Sequence, residues 1–101
     1  QAEATLLPNS LKVLDEVAGI LQANPDIKLL IEGHTANNGY FDANMRLSQQ
    51  RADNVKAYLI KKGISADRLT AKGFGPTQPV SKGKTPAEIA QNRRVELKLS
   101  Y

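Results

Sequence analysis

Two hydrophobic periods alternate along the whole chain, and this alternation is the strongest constraint on its fold. Apolar residues recur at helical spacing in residues 8–23 and 42–62, which predicts two helices. They recur at every second position in residues 27–32 and 94–99, which predicts two strands, and a short strand is predicted over 68–73. This order favours an α+β two-layer sandwich, with helices packed on one face of a small mixed sheet.

Local signals predict where these elements begin and end. Asp42 is expected to cap the second helix, and Gly63 fits the left-handed position that follows a helix. Residues 33–39 are predicted to form a loop. The chain is predicted to turn away from the third strand at residues 73–76. A capping box with proline at the first helical position predicts a short third helix within residues 85–91.

The length of 101 residues indicates a single domain over residues 1–101. Residues 1–7 are too few to provide a convincing fourth strand. We therefore expect the chain to be a fragment whose upstream strand is missing or very short.

Composition excludes several classes of function. The net charge of +4 is spread along the chain, and aromatic residues make up 5% without alternating with basic ones, so a nucleic-acid partner is disfavoured. No apolar run approaches the ~20 residues that cross a bilayer. Cysteine is absent and there is one histidine, which excludes disulfides, Cys-based zinc sites and His-rich metal clusters, and no cofactor is expected.

Catalytic motifs are also absent from the sequence. His34 is the only candidate base, and no serine lies in a G-x-S-x-G elbow, so we expect no enzymatic activity. His34 is instead expected to form hydrogen bonds within its loop. Gly73 and Gly75 do not form a phosphate cradle, because Pro76 removes an amide donor and no Lys-Ser/Thr follows.

Polar residues cluster after the first predicted strand. Thr35 and Asn37 lie in the loop that leads into the second helix, where Asn44, Leu47 and Arg51 share one face. A guanidinium at this place offers a fork for a carboxylate. On spacing alone, the favoured interpretation of Arg51 is an ordinary solvated or core-bordering arginine.

The residues in and around this cluster resemble the OmpA-like C-terminal domain, the family of OmpA, the peptidoglycan-associated lipoprotein and MotB. The resemblance covers nearly the whole chain. It is carried in order by Gly33-His34-Thr35, Gly39, Asn44, Leu47-Ser48, Arg51-Ala52, Val55, Tyr58-Leu59, Gly63-Ile64, Arg68, Gly73-Phe74-Gly75, Pro79 and Asn92-Arg93-Arg94-Val95-Glu96.

The resemblance implies a non-catalytic domain that binds the meso-diaminopimelate of the peptidoglycan stem peptide. In the family, an Asp directly after Gly-His-Thr pairs with the ligand ammonium, and the arginine matching Arg51 pairs with its carboxylate. Asn44 and Leu47 would line the same pocket. The segment containing Arg93 and Arg94 would lie beside it.

This sequence departs from the family pattern at the position of that Asp, which is Ala36. Loss of a charged hydrogen-bond partner costs ~1.5–3 kcal/mol, so weakened binding is expected. Ala36 is either an engineered substitution or a natural change that alters or removes binding. Alternatively, Asn37, Asn38 or Asp42 partly replaces the missing carboxylate.

A second departure lies at the N-terminus, where the first strand of the family is expected to be missing. The sheet would then expose an edge, and an exposed edge invites pairing with another chain, so a dimer is a possible outcome.

The expected function is anchoring of an envelope protein to the cell wall of a Gram-negative bacterium. The chain would be the C-terminal domain of a membrane-anchored parent protein and would lie in the periplasm, attached to the outer membrane through that parent. One alternative is a structural or assembly module of the same fold that does not bind the wall. Another is a general polyanion binder, whose binding would fall steeply with salt.

Overall fold

A computed structural model of the chain describes residues 3–6, 11–35, 40–77 and 94–100. Its elements, in chain order, are β1 (Glu3–Leu6), α1 (Leu11–Ala23), β2 (Lys28–His34), α2 (Phe41–Lys61), a 3-10 turn (Ala66–Arg68), β3 (Leu69–Gly75) and β4 (Val95–Ser100). Neither α-helix in these ranges combines the length and the apolar character needed to cross a membrane. The helix predicted within residues 85–91 lies outside the described residues.

The four strands form one mixed sheet in the order β1-β4-β2-β3. Strand β4 runs antiparallel to both β1 and β2, while β2 and β3 are parallel. The parallel pair is connected through α2, as expected for a crossover between parallel strands. The predicted arrangement of helices packed against a small mixed sheet is therefore confirmed.

The prediction of a missing first strand is wrong. Glu3–Leu6 pairs with β4 from Glu3–Ser100 to Leu6–Leu97. Its sequence, EATL, contains Glu and Ala, which are depleted in strands, so pairing with β4 rather than intrinsic propensity makes this segment a strand. The edge of β4 that a missing strand would leave open is covered, which removes the reason for expecting a dimer at that edge.

Three predicted boundaries also need correction. Gly33 and His34 belong to β2 rather than to a loop, and β3 continues through Gly75. Asp42 lies in the first turn of α2, whose N-cap is Tyr40 and makes no side-chain capping bond. An acidic residue in the first turn still suits the helix dipole.

The core fills the space between the two helices and one face of the sheet. Its buried members come from both helices, from the segments that follow them and from three strands: Leu14, Val17, Ala18, Leu21, Ile27, Leu29, Ile31, Ala52, Leu59, Ile64, Leu69 and Leu97. The cap predicted at Gly63 is confirmed by its φ of 99°, and Ile64 is buried directly after it.

Helix α2 lies directly on the backbone of β2 and β3. A Cβ at Gly33 would clash with the Ser48 carbonyl oxygen, and one at Gly73 would clash with the Gln49 backbone nitrogen. A side chain at either position would therefore force the helix away from the sheet. These two glycines set how closely the N-terminal half of α2 approaches the strand ends.

Arg68 fixes the turn between α1 and β2. Its guanidinium donates hydrogen bonds to the carbonyl oxygens of Leu21 at 2.8 Å, Asn24 at 2.7 Å and Ile27 at 2.9 Å. These carbonyls lie at the end of a helix and in the following turn, where the backbone itself supplies few donors. One side chain thus ties the end of the helix to the following turn, and it shares the Asn24 carbonyl with the Ile27 N–H, which donates to it at 3.1 Å.

Candidate functional site

The candidate site is built where β2 and β3 end beneath the N-terminal half of α2. Two hydrogen bonds connect these elements. The Thr35 N–H donates to the Gly75 carbonyl at 3.0 Å, and the Gly75 N–H donates to Ser48 Oγ at 2.9 Å. Gly75 adopts a left-handed φ of 55°, and a Cβ there would meet Met45 Sδ at 2.5 Å. Thr35 is therefore held beside the helix through a glycine that no larger residue can replace without strain.

Ser48 connects α2 to the strand end through its hydroxyl group. The hydroxyl donates to the Met45 carbonyl at 2.8 Å while accepting from Gly75. The side chain is fully buried. A small polar residue at this position links the helix to the strand end, a contact that hydrophobic periodicity cannot reveal.

Five of the eight predicted site residues lie within the described residues. Thr35 is buried with 4% of its surface exposed, and its hydroxyl has no hydrogen-bond partner among the described residues. Asn44 is buried in the first turns of α2, while Leu47 is 39% exposed on the same helix. Ala36, Asn37 and Arg93 lie outside the described residues.

Arg51 lies two turns further along α2 than Asn44 and is half-buried. It forms no ion pair with any carboxylate in the described ranges, in contrast to Arg94. Residues at the spacing of Asn44, Leu47 and Arg51 share one side of a helix. The arrangement therefore offers an uncompensated guanidinium next to a buried amide and an exposed apolar side chain.

Arg94 joins the site from the other side of β2. The His34 N–H donates to the Arg94 carbonyl at 2.8 Å, and the Arg94 N–H donates to the His34 carbonyl at 3.3 Å. The Arg94 guanidinium forms an ion pair with Glu96 through its Nε. The structure thus brings Arg94 next to the residue preceding Thr35.

A charged cluster that the sequence did not reveal lies beside these residues. His34 Nε2 is 3.1 Å from Glu32 Oε1 and 3.7 Å from Glu96 Oε2. An ionised carboxylate can only accept a hydrogen bond, so Nε2 carries the proton of the neutral ring. Lys98 Nζ lies 3.2 Å from Glu32 Oε2. Each carboxylate therefore has its own side-chain cation, with the histidine between them.

The oxygen and nitrogen atoms that Glu32, His34 and Glu96 offer lie within 4.8 Å of one another, a spacing that a metal ion could use. However, Lys98 and Arg94 already neutralise the two carboxylates, and a metal would have to displace both. The chemistry of the cluster therefore fits a closed ion-pair network. The only signal in the sequence was that Glu32 and His34 are two positions apart on one strand, which places them on the same face.

Burial lowers the pKa of His34 below its usual range. The hydrogen bond to Glu32 opposes this effect, the positive charge of Arg94 adds to it, and the negative charge of Glu96 opposes it. The ring also stacks on Phe74, with 5.5 Å between ring centroids and 10° between planes. His34 is thus held as a neutral, buried ring at the end of β2, and it bonds to Glu32 rather than within a loop as the sequence predicted.

Comparison with known proteins agrees with this fold. The OmpA family profile matches residues 1–93 of the chain. "Probable lipoprotein YiaD" of Escherichia coli strain K12 is 43% identical over 99 residues, which cover 98% of this chain and 45% of that protein. "Peptidoglycan-binding protein ArfA" of Mycobacterium tuberculosis strain H37Rv is 39% identical over 94 residues, which cover 93% of this chain and 29% of that protein.

The crystal structure of the peptidoglycan-associated lipoprotein from Burkholderia pseudomallei superimposes with a TM-score of 0.85 at 28% identity, covering 99% of this chain and 91% of that one. The chain spans less than half the length of YiaD and of ArfA. The match extends through nearly all of the sequence and through its sheet and helices. The chain therefore belongs to the OmpA family.

Proposed function

We propose that this chain binds the stem peptide of peptidoglycan without catalysis and recognises its diaminopimelate residue. The observation that carries the proposal is Arg51, a half-buried guanidinium on α2 with no carboxylate partner among the described residues. A guanidinium fork matches a carboxylate with two parallel hydrogen bonds. The name of the relative ArfA, a peptidoglycan-binding protein, supports the same ligand.

The remaining predicted site residues take supporting roles in this proposal. Asn44 and Leu47 line the pocket on α2, with Leu47 covering the apolar part of the ligand side chain. Thr35, Ala36 and Asn37 follow β2, and Arg93 and Arg94 precede β4. Ala36 stands where an aspartate would meet the ligand ammonium, so this chain binds more weakly than a relative with aspartate there.

The biological role in this proposal is to anchor an envelope protein to the cell wall from the periplasm, with the parent protein attached to the outer membrane. The relatives named as lipoproteins support this placement. The net charge of +4 favours approach to an anionic wall and makes a minor, salt-sensitive contribution.

Calorimetric titration with a diaminopimelate-containing muropeptide tests the proposal. The Ala36→Asp variant should bind about 10- to 150-fold more tightly than the unmodified chain, the equivalent of one charged hydrogen bond. Adding Arg51→Lys to that variant should weaken binding, because a lysine provides a point charge instead of a fork. Lys12→Ala, an exposed change on α1, is the matched control and should leave the affinity unchanged.

The alternative of an assembly module that does not bind the wall makes the opposite prediction. In that case neither the unmodified chain nor Ala36→Asp binds the muropeptide, although both remain folded by circular dichroism. Equal affinity of the two proteins would show that another group, with Asp42 the first to test, already pairs with the ammonium. Affinity that falls steeply with salt and does not depend on Arg51 would instead indicate a general polyanion binder.

A further inference from the structure

His34 lies between the charged cluster and the candidate site. Its own backbone forms a two-way hydrogen-bonded pair with Arg94, at 2.8 and 3.3 Å. The next residue, Thr35, donates its N–H to Gly75 at 3.0 Å. Two residues of the proposed binding site, Thr35 and Arg94, are therefore attached directly to the backbone of His34.

The ring of His34 is buried, and described residues of three strands contact it. It is 1% exposed. Glu32 contacts it from its own strand, Glu96 approaches from β4, and Arg94 approaches from the position just before β4. From β3, Phe74 stacks on the ring.

Two lysines complete the charged surroundings of the ring. Lys98 of β4 pairs with Glu32 at 3.2 Å. Lys72 of β3 lies 5.1 Å from the centroid of the Phe74 ring that stacks on the histidine. Every strand in contact with His34 therefore places a cation near it or near its immediate partner.

Protonation of the His34 ring would destabilise its buried position. His34 Nδ1 is buried and has no hydrogen-bond partner within the described ranges, so a proton added there would be a buried donor without an acceptor. The new charge would also enter a cluster in which Lys98 and Arg94 already balance the two carboxylates. An unsatisfied buried donor is destabilising, and the structure can relieve this cost by moving the ring out of its place.

We propose that His34 is a positioning residue whose neutral ring holds Thr35 and Arg94 in place at the peptide-binding site and releases them when it is protonated. The proposal rests on the function proposed above and adds a pH dependence to it. The domain would bind its ligand at neutral pH and lose affinity on acidification. The response belongs to a buried histidine that is itself not expected to touch the ligand.

The chain has a single histidine, so its ring resonances give an unambiguous titration by nuclear magnetic resonance. We expect the protection of the Thr35 and Arg94 amides from hydrogen exchange, corrected for intrinsic rates, to fall about fivefold or more as the ring titrates, the lower end of typical coupling between sites. The Leu59 amide, in the core of α2, is the internal control and should stay protected. Unchanged protection of Thr35 and Arg94 through the His34 titration would overturn the proposal.

The His34→Gln variant separates positioning from titration, because the glutamine amide can donate to Glu32 as Nε2 does but does not titrate. The amides of Thr35 and Arg94 should then stay protected from hydrogen exchange at both pH 7.5 and pH 5.5. A second variant, Glu96→Gln, removes a charge that favours the protonated ring, so the midpoint of both the ring titration and the amide response should move to lower pH. An amide response that persists in His34→Gln, or that does not follow the ring in Glu96→Gln, contradicts the role.

Muropeptide binding is measured in the Ala36→Asp background, where affinity is expected to be higher. Affinity should fall about fivefold or more between pH 7.5 and pH 5.5, and the fall should be absent once His34→Gln is added. Glu16→Gln, on the exposed side of α1, is the matched control and should retain the full pH dependence. If no variant binds at either pH, the function proposed above fails, while the hydrogen-exchange result still decides whether His34 positions Thr35 and Arg94.

Discussion

Glu32 and Glu96 lie directly opposite each other on the antiparallel strands β2 and β4, although both carry negative charge. Like charges at such cross-strand positions are destabilising unless cations compensate them. Lys98 and Arg94 supply that compensation through ion pairs, and the neutral ring of His34 adds a hydrogen bond to Glu32. A buried, balanced cluster of this kind rigidifies the strand ends that carry the proposed site.

Stability of the fold should depend on pH through His34. Its pKa in the folded chain is lowered from 6.5, so the unfolded chain binds the proton more readily. The contribution of the neutral His34 ring to the free energy of unfolding is complete above about pH 6.5, which is the pKa of the unfolded chain. It is lost as the pH falls through the lower pKa of the folded chain. Urea unfolding at pH 7.5 and pH 5.5 should show this loss, and the His34→Gln variant should lose less stability over the same interval. An identical loss in both proteins would assign it to the carboxylates.

Lys98 should stabilise the fold mainly by compensating the buried carboxylate of Glu32. Lys98→Met should lower the free energy of unfolding by about 1–2 kcal/mol, because it leaves that carboxylate without its cation. Adding Glu32→Gln should recover part of the loss, which a double-mutant cycle in urea measures. Lys28→Met, an exposed lysine on β2, is the control and should have little effect. Additive effects of Lys98→Met and Glu32→Gln would show that the two side chains do not interact.

Gly33 should tolerate no side chain, because the backbone of Ser48 occupies the place of a Cβ. Gly33→Ala should cost at least about 2 kcal/mol by thermal or urea unfolding, as overpacking does elsewhere. Gly19→Ala is the matched control, since nothing lies within 4 Å of a Cβ there. That change lies inside α1 and should stabilise the chain by about 0.5–1 kcal/mol. Equal effects of the two substitutions on stability would contradict the close packing of α2 against the backbone of β2.

Gln49 should protect the outer edge of β3. Its amide donates to the Ala71 carbonyl at 3.1 Å, and its oxygen accepts from the Gly73 N–H at 2.8 Å, as a neighbouring strand would. Gln49→Ala should free these groups and lead to self-association at high concentration, measured by sedimentation. Gln50→Ala, an exposed change at the next position, is the control and should not alter the sedimentation of the chain. Identical sedimentation of the two variants would show that this edge needs no such protection.

Much of the fold could be predicted from the sequence because helix and strand periods are local. The apolar stripe of α2, the left-handed glycine at Gly63 and the alternating faces of β2 and β4 all depend on residues within a few positions of one another. The spacing of Asn44, Leu47 and Arg51 likewise fixes that they share one side of a helix. The family motif spans these same local patterns.

The rest depends on pairings between distant parts of the chain, which no local pattern specifies. The segment Glu3–Leu6 is a strand because β4, at the far end of the sequence, supplies its partner. The meeting of Glu32 with Glu96 follows from strand register, and the burial of His34 follows from the seating of Phe74 and Arg94 against it. The sequence by itself determined the two helices, the approximate positions of β2, β3 and β4, and the family to which they belong. The tertiary structure alone decided which charges share a buried site, because register and packing between strands are set by the core as a whole.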